Sequence, residues 1–167
     1  LSNEETYEYV PLGPLRHIYP VFMPGEIQLD ALNTANCYIA PELLRDYSFD
    51  ATVQGNGCAT LNITPQRLSG AYARLIWETG TQANSVISSL GYDGSRIRFR
   101  TGTQQGNALI GLFNVGGECV WSWHIWVANY DPESSSQKYS SGDIFMDRNL
   151  GAVETDYTKV TACGLYY

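Results

Sequence analysis

The sequence predicts an all-β fold, and three observations carry that prediction. The 167 residues include 12 Tyr, 4 Trp and 16 Gly but only 10 Lys plus Arg, and aromatic and turn-forming residues favour pleated sheet over helix. Apolar residues recur with period two through most of residues 36–128, as half-buried strands require. Clusters of turn formers interrupt that pattern every 8–12 residues or so, the spacing of sandwiches and barrels.

Taken in order, residues 26–29 suit a short strand and 37–40 a compact apolar one. Tyr47, Phe49, Ala51 and Val53 alternate with polar residues until Gly55, Asn56 and Gly57 supply a turn. Ala71, Ala73, Leu75 and Trp77 share one face of the next strand, which Glu78, Thr79 and Gly80 end. Residues 86–90 form a short run closed by Gly91, Tyr92, Asp93 and Gly94. Ile97 and Phe99 point inward between Arg96, Arg98 and Arg100. Residues 106–114 carry Ala108, Ile110 and Leu112, and residues 118–128 form the longest strand, with three of the four tryptophans. That makes about seven strands between Asn36 and Ala128. A helix is expected for no more than one turn within 41–47.

The flanks differ from this block. Residues 1–25 hold four of the seven prolines and suit a lead-in linker or an edge strand. Residues 26–130 form the sandwich, and residues 131–167 comprise a polar loop and a tail. A net charge of −7 removes the electrostatic case for nucleic acid or an anionic membrane. Two histidines exclude a three-histidine zinc site within one chain. No run approaches 18 apolar residues, so no membrane insertion of this segment is expected. Cys37, Cys58, Cys119 and Cys163 lack C-x-x-C spacing, and their oxidation state stays open between free structural thiols and a disulfide.

Asn36, Cys37, Tyr38, Ile39 and Ala40, together with the run from Trp121 to Val127, resemble the N-C-Y-I … W-S-W-H-I-W domain of fimbrillin-like and adhesin surface proteins of gut Bacteroidetes. The stretch Met146, Asp147, Arg148, Asn149, Leu150, Gly151 and Ala152 resembles the M-D-R-N-L-G-A entry of the Fibrobacter succinogenes major paralogous domain. Gly164, Leu165, Tyr166 and Tyr167 are similar to the phrase that continues into Q-W-G-R in that second family. The resemblance spans about residues 26–167, and the second module is expected to be truncated. It implies an immunoglobulin-like antiparallel β-sandwich of about seven to eight strands in an exported, outer-membrane-anchored surface protein. It implies no known ligand.

Candidate chemistry is sparse. On the longest strand, Cys119, Trp121, Trp123, Ile125 and Val127 share one face, and Ser122, His124 and Trp126 the other. The second set suits packing beneath the lead-in or tail, or contact with a neighbouring module or a sugar ring. Arg96, Arg98 and Arg100 form a cationic stripe suited to carboxylate or sulfate, or to acidic neighbours on adjacent strands. The tentative ligand-binding set is therefore Arg96, Arg98, Arg100, His124 and Trp126. Asp131, Glu133, Asp143 and Asp147 border the loop without EF-hand spacing, so no metal is expected. His124 lacks a sequence-adjacent nucleophile, and no cofactor motif or catalytic set is present.

The expected function is a non-catalytic cell-surface module of a fimbrial or adhesin-type protein, serving adhesion or surface assembly. Its expected partners are other modules, pilin subunits, or host and dietary glycans. The alternative is a carbohydrate-binding module of a secreted glycan-utilisation protein, which an exposed Trp77 or Trp126 in a shallow groove would favour.

Overall fold

A computed structural model describes residues 25–59, 62 and 64–165. The expected lead-in over residues 1–25 lies, apart from Gly25, outside the described residues. Eight strands build two four-stranded sheets: β1 (Ile27–Gln28), β2 (Cys37–Ala40), β3 (Asp46–Asp50), β4 (Tyr72–Glu78), β5 (Ile87–Tyr92), β6 (Arg96–Thr101), β7 (Gly106–Phe113) and β8 (Cys119–Val127). The first sheet runs β1-β3-β6-β5 and the second β2-β8-β7-β4. With β3, β6 and β5 facing β4, β7 and β8, the strand order is that of an immunoglobulin-type sandwich.

Period-two patterning fills the space between the sheets. Tyr38, Tyr47, Phe49, Ile97, Phe99, Ile110, Leu112, Trp123 and Ile125 are buried there. Phe49 lies at the centre, stacked on Tyr38 with ring centroids 4.9 Å apart and tilted against Trp123 at 5.3 Å. Such aromatic pairs contribute about 0.5–1.5 kcal/mol each beyond the area they bury.

Two strand pairings depart from the expected antiparallel pattern. β1 runs parallel to β3, and β2 runs parallel to β8. The chain delivers β1 to one sheet and then crosses to place β2 in the other. Neither strand is joined to its neighbour by a tight turn, so nothing imposes the antiparallel sense of a hairpin. A second departure lies in β8. The register slips between Leu112 and Phe113, so Cys119 falls outside the inward alternation and is exposed. A similar bulge at Ile76 interrupts β4, with the side chain of Ile76 left exposed.

Beyond β8, Asp131 caps a single helical turn, α1 (Pro132–Ser135), by accepting from the Glu133 N–H. A small hairpin follows, with β9 (Gln137–Lys138) paired to β10 (Ile144–Phe145). The tail then turns back across the outer face of the second sheet. Gly151 (φ +80°) and Gly164 (φ +77°) bring its two arms together. The Leu165 N–H donates to the Leu150 carbonyl, and the Val153 N–H to that of Thr161. A Cβ on Gly151 would lie 1.9 Å from the Leu165 carbonyl oxygen, a backbone approach only glycine permits.

Candidate functional site

The outer face of the second sheet carries the chemistry. Tyr38 and Ala40 fill the core, so alternation turns Cys37 and Ile39 outward. On β8 the same rule turns His124 and Trp126 outward, and the register sets Cys37 beside His124. Asn107, the one polar side chain of β7, completes a row across three strands.

That row is a chain of hydrogen bonds with a fixed sense. The Asn107 side-chain amide donates to the Gly151 carbonyl at 2.8 Å, which turns its Oδ1 toward His124 Nε2, also at 2.8 Å. Oδ1 only accepts, so Nε2 carries the proton and Nδ1 presents its lone pair. Cys37 Sγ lies 3.3 Å from Nδ1, placed to donate its S–H. His124 is fully buried, and burial lowers its pKa to about 4. Burial likewise pushes the Cys37 thiol up to about 11. The pair therefore rests as neutral thiol and neutral imidazole.

The tail covers Trp126, which is 1% exposed. Trp126 packs with Ala128 and Tyr130, and Ile39 and Val153 pack against this group. The Tyr130 ring lies 5.0 Å from that of Trp126, and the Arg148 guanidinium sits 4.2 Å above Tyr130. Asp147 holds Arg148 at both ends, Nε at 2.9 Å and Nη2 at 3.1 Å. Arg148, held by Asp147, thus covers Tyr130, which in turn packs against Trp126. Trp126 does not form the ligand-facing surface that its outward face allowed, because Tyr130 and Val153 of the returning chain pack with it. His124 is buried as well, bonded to Cys37 and Asn107 on the neighbouring strands.

The arginine stripe is placed as expected on the outer face of β6, and each of its members has acidic neighbours. Arg96 grips Asp30 with two guanidinium nitrogens, one at 3.1 Å, and also reaches Ser48. Arg98 binds Glu26 and, at 3.2 Å, Asp93, and Arg100 binds Asp46 at 2.9 Å. Burial pushes the Asp30 carboxyl up, but the Arg96 hydrogen bonds and charge outweigh it and hold it below its ordinary value. The stripe is met by Glu26 and Asp30 flanking β1, Asp46 of β3 and Asp93 of the β5–β6 turn, and it leaves a shallow cavity of about 310 Å³ beside Arg98 and Glu26.

A larger cleft of about 500 Å³ lies where the tail meets the sandwich. Thr79, Thr81, Gln104, Gln105 and Asn107 line one wall, and Val153, Thr161 and Leu165 the other. Among the described residues no group of three or more His, Cys, Asp or Glu is placed to hold a metal ion. No helix there is long and apolar enough to cross a membrane. All four cysteines are free thiols.

Sequence reasoning missed Cys37 and Asn107 as partners of His124. The available signals were the outward parity of Cys37 and the lone polar residue in the apolar β7 run. The parallel register that aligns them has no local signature. The molecule so far defined is an immunoglobulin-type sandwich with a tail folded over one face and a Cys, His, Asn row beneath it. No family model, curated protein or solved structure matches this chain.

Proposed function

We propose that this chain is a non-catalytic module of a cell-surface protein of fimbrial or adhesin type, outside the cytoplasm, and that it assembles with other modules or subunits by strand addition. The observation that carries this reading is the open edge at β4. Seven residues long, β4 ends its sheet, and Tyr72 and Ile76 stand exposed along it. An added strand gains main-chain hydrogen bonds for affinity and side-chain contacts for register. The bulge at Ile76 tolerates proline. Ile76→Pro is therefore expected to leave the circular dichroism spectrum unchanged and to abolish concentration-dependent association in sedimentation velocity. Association that survives Ile76→Pro would count against β4 as the assembly edge.

The 500 Å³ cleft supports a second reading, carbohydrate binding. The side chains of its sandwich wall, Thr79, Thr81, Gln104, Gln105 and Asn107, are uncharged hydroxyls and amides, suited to a neutral polyhydroxyl ligand. A glycan array on which Gln104→Ala removes the hits would favour it, and an array without hits would dismiss it.

A further inference from the structure

The Cys37, His124 and Asn107 row has a chemistry that packing does not explain. We propose that Cys37 is a nucleophile toward thioesters, with His124 as its general base and Asn107 as the positioning residue, so that the module takes an acyl group covalently onto its own sulfur. This goes beyond the assembly reading and does not depend on it; the acylation is a single modification of the module's own sulfur without turnover, so the module stays non-catalytic.

Atom roles carry the inference. A thiol, an imidazole and a side-chain amide in this order are the parts of a cysteine acyl-transfer relay. Here each contact involves the atom such a relay needs: Sγ to Nδ1 at 3.3 Å, and Nε2 to an amide oxygen at 2.8 Å. The amide is itself fixed by the Gly151 carbonyl, so the imidazole keeps the tautomer whose lone pair faces sulfur. Cys37 is part-exposed on an edge strand, while the base behind it is sealed from water. The His124 N–H donates to the Asn36 carbonyl, so the parallel ladder bonds through Asn36 and Tyr38. The Cys37 backbone N–H accordingly turns to the open side of β2, beside its own thiol, where it can receive a developing oxyanion.

The substrate class follows from the weakness of the base. With Sγ still protonated and hydrogen-bonded to a weakly basic Nδ1, the proton leaves sulfur only as the carbon–sulfur bond forms, so no standing thiolate attacks and the acyl donor must be activated. That suits an activated acyl group with a thiolate leaving group more than an amide. The step is balanced. Sγ bonds to the acyl carbon as its proton passes to Nδ1. The tetrahedral adduct then expels the donor's thiolate, which takes that proton from Nδ1. A thioester and a thiol go in, and a thioester on Cys37 and a free thiol come out.

The test uses the full chain with Cys58→Ser, Cys119→Ser and Cys163→Ser, all exposed positions, and S-phenyl thioacetate as probe. Intact mass and peptide mapping follow acetylation of Cys37. The expected rate is flat from about pH 5 to pH 9 and falls below about pH 4 as the imidazole protonates. The same chain in urea should instead show the free-thiol rise of about tenfold per pH unit. His124→Gln should slow the folded protein about 100-fold, and Asn107→Ala should slow it while restoring a rise with pH. A folded-state rate that climbs with pH as in urea, or one unchanged by His124→Gln, overturns the proposal. If His124→Gln does not fold, the pH profile of the folded parent decides alone.

Discussion

His124 shows how one buried residue makes stability depend on pH. In the unfolded chain an imidazole titrates near 6.5, whereas in the fold burial holds it at about 4. Between those values the unfolded state binds the extra proton. Stability therefore rises with pH through this window, is complete above about 6.5, and is lost as pH falls toward 4. The change amounts to something on the order of 3 kcal/mol. The carboxylates Glu26 and Asp30 have folded-state values held below the ordinary carboxylate range, so their loss of stability belongs to more acid conditions and the two effects separate. The urea midpoint is expected to be clearly lower at pH 4.5 than at pH 7 in the wild type and nearly equal in a folded His124→Gln variant. An equal midpoint in the wild type would mean the imidazole is not held neutral. The sequence disclosed the outward face of His124 but not its state, because Cys37 and Asn107, which bond its ring, come from other strands.

At the scale of elements, legibility followed locality. β6 could be assigned from its own residues, since Ile97 and Phe99 alternate with three arginines and period two needs no outside information. β8 was legible for the same reason from Trp121 to Val127, and failed at Cys119, where a bulge set by its partner shifts the register. Pairing direction was not legible. β1 and β2 are short, and their parallel neighbours β3 and β8 lie far along the chain. The destination of the arginine stripe illustrates the same division. The stripe itself is a local pattern, while the choice between a ligand and acidic neighbours depended on where Asp30, Glu26 and Asp46 are brought. Asp30 gave no local sign of its role, because its partner Arg96 is 66 positions away.

The whole molecule is a sandwich whose outer face depends on its tail, and the coupling runs through Gly151. Its carbonyl accepts from Asn107, and its α-carbon lies against the Leu165 backbone. The tail positions Arg148 over Tyr130, which packs on Trp126. An alanine at 151 would meet the backbone at 1.9 Å in a left-handed conformation; no side-chain movement relieves that contact, and strain of about 1–3 kcal/mol is expected. The two arms of the tail should separate before the inner core does, because the cluster that Phe49, Ile110 and Trp123 form between the sheets includes no described residue of the tail. Gly151→Ala is expected to shift Trp126 emission to the red and to open residues 131–165 to limited proteolysis, while the sandwich still melts cooperatively. If emission and cleavage match the wild type, Gly151 does not join tail to sheet. If the sandwich collapses as well, the tail is part of the folding core and not a cover laid upon it.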